Sequence, residues 1–221
     1  LVTVNAYTFP SVVPIEKPSY ALSAAMERLY DQWNPHEDLN NELYSNFKYT
    51  PLNGFKKIPF TSRRDPTKVI KVGDQYHVWY TRRTSICDPV GLKNATDTKP
   101  ATDWDLADIW HATSSDGWHW IEDPEPAVTR LAKPNYGWRS ISTTDILIWK
   151  NKYYLYYQGF NEIPGIHSGD RAAVTVAEAE SPYGPWKPLG EVVVDFGKEG
   201  EWDSNAIHDP NPIIYDGKIY L

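Results

Sequence analysis

From Phe47 to Leu221, apolar and polar residues alternate in short runs broken by Gly, Asp, Asn and Pro, which predicts strands joined by tight turns. One such unit begins at Arg63-Arg64-Asp65-Pro66 and continues through Ile70-Lys71-Val72 and a Gly73-Asp74 turn. It ends in the aromatic-rich run Tyr76-His77-Val78-Trp79-Tyr80. The pattern returns twice. Thr144-Asp145-Ile146-Leu147-Ile148-Trp149 leads through Lys150-Asn151-Lys152 into Tyr153-Tyr154-Leu155-Tyr156-Tyr157, and His208-Asp209-Pro210-Asn211-Pro212-Ile213-Ile214-Tyr215 leads through Asp216-Gly217-Lys218 into Ile219-Tyr220-Leu221. Each copy has an aspartate near the start of its first strand. A ring of such hairpins is therefore expected to bring Asp65, Asp145 and Asp209 to one centre.

A second element alternates with the first. Asp108 to Trp120 and Thr175 to Trp186 share a skeleton of strand, Ala-x-Ser, Gly turn and Trp, and Ala112 and Ala179 lie 67 positions apart (179 − 112). Two hairpins per period make a four-stranded unit, and long repeats of that kind predict blades of a β-propeller. A β-sandwich with coincidental similarity is the competing all-β reading. Residues 47–221 hold roughly two and a half to three blades, fewer than the four that closure needs, so further blades are expected beyond Leu221.

Residues 1–46 read differently. Pro10, Pro14 and Pro18 among β-branched residues predict an extended arm to about residue 19, because proline cannot occupy a helix interior. Leu22, Met26, Leu29, Tyr30 and Trp33 fall on one helical face, with Ser19 as N-cap and Asn34-Pro35 as the stop. A second short helix is expected from Glu37 to about Asn46. This portion is too small to bury a core of its own and needs something to dock on. That is its own domain or, in the sharper reading, a second subunit.

Composition narrows the function classes. A net charge of −7 argues against an extended basic surface for nucleic acid or anionic membrane. Ten Trp and 15 Tyr suit strands and also suit stacking on sugar rings. The single Cys87 excludes an internal disulfide. No apolar run is long enough to span a membrane, and no basic-then-apolar leader opens the chain, which fits a cytoplasmic or periplasmic location. Long insertions at 84–103 and 162–171 are expected to shape a binding site.

Carboxylates gathered at one centre are the material of glycoside hydrolysis, which needs a base to activate water and an acid to protonate the leaving oxygen. Arg63, Arg64, Arg82 and Arg83 are expected to be ion-pair partners around that centre and to keep Asp65 charged. His111 and His119 flank a turn without shared metal-ligand geometry.

Four motifs resemble glycoside hydrolase family 117: Ser23-x-Ala25-x-x-Arg28, Ser62-Arg63-Arg64-Asp65-Pro66, Thr102-Asp103-Trp104-Asp105-Leu106-Ala107 and Ile207-His208-Asp209-Pro210. The resemblance implies a five-bladed β-propeller, of which residues 47–221 hold roughly the first two and a half to three blades, that removes 3,6-anhydro-L-galactose from the non-reducing end of neoagaro-oligosaccharides. It implies Asp65 as the general base of an inverting reaction, Asp209 as the second central acid and His208 as a substrate contact. Asn46, Trp104, Thr143 and Gln158 fall where the family has further sugar contacts, and Asp145 beside Thr143 reads as structural. The family's general acid, a histidine near a glutamate in a later blade, has no counterpart after Asp209. Ser23, Ala25 and Arg28 fall at a dimer contact made by exchange of N-terminal segments, residues 1–46. No cofactor is required, and family members can carry a divalent ion near the propeller axis, for which the sequence offers no nameable ligands. Two alternatives stay open: a propeller glycosidase acting on arabinose or xylose glycans, and a propeller that binds sugar without cleaving it.

Overall fold

The structure, a computed structural model, describes residues 16–31, 51–166 and 171–221. The chain divides into two units, residues 1–50 and 51–221. In the first, α1 (Ala24–Tyr30) starts one residue after Ser23, whose Oγ accepts a hydrogen bond from Met26 N at 3.3 Å. Ser23 is thus the N-cap instead of Ser19, and Leu22 lies outside the helix. Expectations for the arm to residue 15, Trp33, the Asn34-Pro35 stop, the second helix and Asn46 lie outside the described residues.

The second unit is all-β. Its elements are β1 (Thr61–Arg64), β2 (Ile70–Val72), β3 (Gln75–Thr84), β4 (Ala107–Ser114), β5 (Ile121–Glu122), β6 (Ser140–Trp149), β7 (Lys152–Phe160), β8 (Ala173–Ala179), β9 (Lys187–Pro188), β10 (Ile213–Tyr215) and β11 (Lys218–Tyr220). They form two antiparallel blades, β1/β2–β3–β4–β5 and β6–β7–β8–β9, and a separate hairpin β10–β11. The three hairpins turn at Gly73-Asp74, Lys150-Asn151 and Asp216-Gly217, as their registers Val72↔Gln75, Trp149↔Lys152 and Tyr215↔Lys218 show. Lys150, Asn151, Asp216 and Gly217 all have positive φ, the backbone that matches the twist of flanking strands.

Strand alternation explains the packing. Along β3, Val78 and Tyr80 face outward onto Ala112 and Trp120, while Trp79 faces the second blade. There Trp79, Ile109 and Val128 meet Ile141, Ile146, Leu155, Tyr157 and Ala177, all buried, in a core between the blades. Each fully buried side chain of this kind contributes about 1.5–3 kcal/mol.

The innermost strand of each blade is irregular at one level. In the first blade, Arg64 pairs with Thr81 and Ile70 with His77. Residues 65–69 thus stand opposite only 78–80, an excess of two, and Asp65 has φ 50°. In the second, Ser142 pairs with Gln158 and Thr144 with Tyr157, which leaves Thr143 as a one-residue bulge at φ 39°. Bulges re-aim a side chain out of its ladder position. Here they turn the same level of both blades toward one place.

A buried polar chain crosses the first blade. Asp123 Oδ2 accepts from His111 Nδ1 at 2.7 Å, which leaves His111 Nε2 to accept from His77 Nδ1 at 3.0 Å. Trp79 stacks on both rings. Burial, with the second imidazole beside it, pushes His77 from 6.5 down to about 4, and burial also lowers His111. An unfolded chain therefore binds these protons at a higher pH than the folded one. Stability is fully present above pH 6.5 and is expected to fall as pH drops from about 6.5 toward 4. Thermal unfolding at pH 7 and pH 4.5 checks this; His77→Asn, which keeps a donor for His111, should shrink the drop.

Candidate active site

A cavity of about 300 Å³ opens where the irregular strands converge, lined by Arg64, Asp65, Trp104, Thr143, Gln158, His208 and Asp209. It joins residues up to 145 positions apart in the chain (209 − 64). Asp65 accepts from Arg64 Nε at 2.7 Å and from Thr143 Oγ1 at 3.4 Å. The Arg64 guanidinium lies 4.7 Å from the centre of the Trp104 ring, so cation–π contact and ion pair hold it between aromatic and carboxylate. Across the cavity, buried Gln158 accepts from the Asp209 backbone N–H at 3.1 Å and donates to Ser142 Oγ at 3.0 Å. His208 lies against buried Phe160, ring centres 6.3 Å apart.

Three residues lining this cavity have left-handed backbone: Asp65, Thr143 and Asp209, the last at φ 54°. Aspartate tolerates that region, but a β-branched threonine there is an outlier. Strained backbone of this kind concentrates at functional sites. The Thr143 N–H donates to Thr81 Oγ1 at 2.8 Å, which ties the bulge to the first blade. Because glycine has no Cβ to clash at this φ, Thr143→Gly is expected to be more stable than Thr143→Ala by roughly 1 kcal/mol. Denaturant titration of the two variants reads the difference.

Trp104 is held from beneath. Asp105 is fully buried and takes Arg139 in a two-pronged ion pair, Nε to Oδ1 at 2.7 Å and NH2 to Oδ2 at 2.6 Å. Asp105 Oδ2 also accepts from Ala101 N at 2.7 Å. Ser140 Oγ donates to Trp104 O and accepts from Ala107 N. The Thr102–Ala107 loop is thus pinned to the second blade at its tryptophan and at the residues that follow it.

The chain was compared with solved structures. It is 52% identical to Zg3597, a family 117 glycoside hydrolase produced by the marine bacterium Zobellia galactanivorans, with a TM-score of 0.75 over 81% of this chain and 54% of that one. The chain belongs to glycoside hydrolase family 117. It spans about half the length of that relative. A thermostable family-43 glycoside hydrolase, 18% identical with TM-score 0.50 over 76% of this chain and 42% of that one, shares the fold. So does a further glycoside hydrolase, 13% identical with TM-score 0.56 over 86% of this chain and 51% of that one. No family model matches the chain, and no curated protein matches it either.

Against the family 117 reading of the sequence, six expected residues line one cavity: Asp65, Asp209, Trp104, Thr143, Gln158 and His208. The expectation of three converging aspartates is corrected. The bulge puts Thr143 at the level of Asp65 and Asp209, and Asp145 two residues on accepts from Lys68 Nζ at 2.6 Å and from Ile146 N. Asp145 lines a neighbouring cavity of about 320 Å³ that shares Thr143 and Asp209 with the first.

The arginine expectation is corrected too. Only Arg64 of the four pairs with Asp65; Arg63 and Arg82 converge on Glu122, and Arg83 reaches Asp103 and the Phe60 carbonyl. His111 is buried in the chain to Asp123, and exposed His119 pairs with Asp116. Sequence reasoning missed Arg64 as a wall of the cavity and the Asp105–Arg139 pair beneath it. The second Asp of Thr102-Asp103-Trp104-Asp105 was a visible signal, but nothing in the sequence names its partner 34 residues away (139 − 105).

A divalent ion near the axis finds no ligand set among the described residues, where no three His, Cys, Asp or Glu side chains are arranged to hold one. Asp65 and Asp145 face Arg64 and Lys68 instead.

Proposed function

We propose that the protein is an exo-acting, inverting glycoside hydrolase that releases 3,6-anhydro-L-galactose from the non-reducing end of neoagaro-oligosaccharides by cleaving an α-1,3 bond. The observation that carries this reading is the meeting of Asp65 and Asp209 in one cavity beside Trp104, in a chain 52% identical to a family 117 glycoside hydrolase.

In inversion, a water molecule attacks the anomeric carbon from the face opposite the leaving oxygen. Asp65 takes the proton from that water as the new C–O bond forms. The electron pair of the breaking bond goes to the leaving oxygen, which takes a proton from a general acid. The resemblance to the family assigns that acid to a histidine of a later blade. Asp209 adds a second negative charge near the developing positive charge on the sugar. Trp104 offers an apolar face to the sugar ring, while Thr143, Gln158 and His208 supply polar contacts. The Ser23-x-Ala25-x-x-Arg28 segment serves a homodimer contact, and the propeller closes with five blades.

Product analysis with three substrates tests the reading: neoagarobiose, an aryl arabinofuranoside and an aryl xyloside. Anhydrogalactose from neoagarobiose, with the pentosides untouched, is expected. Cleavage of the pentosides alone overturns the substrate assignment. Saturable neoagarobiose binding without any turnover overturns the enzyme in favour of a sugar-binding protein.

A further inference from the structure

The two blades leave another cleft, of about 370 Å³, at the end of the strands away from Asp65. Its floor is buried His111, and its walls carry Asp123, Glu125, Tyr183 and Trp186. Asp65 neighbours the Thr81 end of β3, whereas Tyr183 and Trp186 sit in the turn that follows Ala179 at the opposite end of β8.

We propose that this cleft binds a neutral saccharide chain, separately from the catalytic cavity. The aromatic walls are set in advance. Tyr183 packs edge-on against His77 and His111, with ring centres 5.0 and 5.8 Å apart, yet stays 59% exposed. Trp186 stands edge-on to buried Trp79 at 5.7 Å. The turn between them is tight: Gly184 has φ 84°, and a Cβ there would lie 2.7 Å from Trp186 N. Pro124, Pro126 and Pro185 stiffen the rim, so little ordering remains for a ligand to induce.

The polar lining groups are chiefly acceptors. Asp123 is fixed through Oδ2 by the His111 N–H, and Glu125 has no partner among the described residues. No lysine or arginine lines the cleft. Aromatic faces beside free carboxylate oxygens suit a ligand with C–H faces and many hydroxyl donors. The same carboxylates repel sulfated or uronic chains. An ammonium ligand meets carboxylate and ring as well. Here the saccharide is favoured because Asp123 already spends one oxygen on His111, which leaves Glu125 as the single unengaged carboxylate for a compact cation.

The test is calorimetric titration, with tryptophan fluorescence alongside, using neoagarohexaose, xylohexaose, a sulfated carrageenan hexaose and spermidine. Two neutral chains are used so that failure of the proposed catalytic specificity and failure of the cleft are distinguishable. At least one neutral chain is expected to bind, and Tyr183→Ala with Glu125→Gln to weaken that binding at least tenfold. Release of anhydrogalactose from neoagarobiose should be unchanged in the variant. Glu125→Gln alone, an exposed and nearly isosteric change, should act in the same direction without any risk to folding. Neutral-chain affinity unaltered by both variants overturns the proposal. So does no binding of either neutral chain beyond the catalytic cavity, or preference for spermidine or the sulfated chain.

Discussion

Asp65→Asn is expected to lower the rate of sugar release by about 10²–10⁴-fold, the usual contribution of a positioned general base. The fold should tolerate it. Asparagine is nearly isosteric with aspartate and is among the residues that adopt left-handed backbone, so φ 50° at this position survives. Its side-chain oxygen still accepts from Arg64 Nε and Thr143 Oγ1. What is lost is the capacity to hold water's proton. An unchanged melting temperature with collapsed turnover therefore locates the defect in the chemistry. A variant equally active and equally stable would mean that Asp65 only shapes the irregular stretch between β1 and β2.

The second large effect concerns stability. Asp105 and Arg139 are 0% and 2% exposed, and their attraction offsets the desolvation of both. Removing one partner leaves the other charge buried and unpaired. Asp105→Leu or Arg139→Met alone is expected to destabilise by about 3–5 kcal/mol. For a domain of this size that corresponds to a melting-temperature drop of roughly 6–20 °C. The double variant Asp105→Leu with Arg139→Met removes both charges together and should recover most of the loss. Activity should not recover with it, because Asp105 also accepts from Ala101 N and pins the loop that carries Trp104. Scanning calorimetry of the three variants, with turnover measured on the double variant, separates the two consequences.

The parts of this architecture that depend on neighbouring residues were legible in the sequence. Turn residues at 73–74, 150–151 and 216–217 and the alternation of Val78, Trp79 and Tyr80 are local signals, and each predicts its hairpin. Asp65 and Asp209 were legible for the same reason, since each stands before a proline at the head of a strand. The second blade misled, because a bulge adds a residue without changing the hydrophobic pattern that follows. Asp145 keeps a plausible spacing from its turn, yet it lies inside the ladder opposite Tyr156, and Thr143 takes the irregular place. Ser19 and Ser23 are equally good caps by residue type; only the Met26 N–H, bonded to Ser23, decides between them. The partners of Arg63, Arg82 and Arg139 were illegible because cross-strand and cross-blade pairing depends on register. Glu122 lies 59 residues from Arg63 and reaches it only once β3, β4 and β5 are side by side.

In the proposed reaction Asp65, in the irregular stretch between β1 and β2, supplies the base for inversion. Product analysis of Asp65→Gly with neoagarobiose and sodium azide tests it most directly. Glycine suits the left-handed backbone at this position and leaves room for a small anion beside the anomeric carbon. Negligible hydrolysis is expected without azide and, with it, a 3,6-anhydro-L-galactosyl azide of β configuration, opposite to the α-linked substrate. Hydrolysis at the wild-type rate without azide, or an azide product that keeps the α configuration, would contradict it.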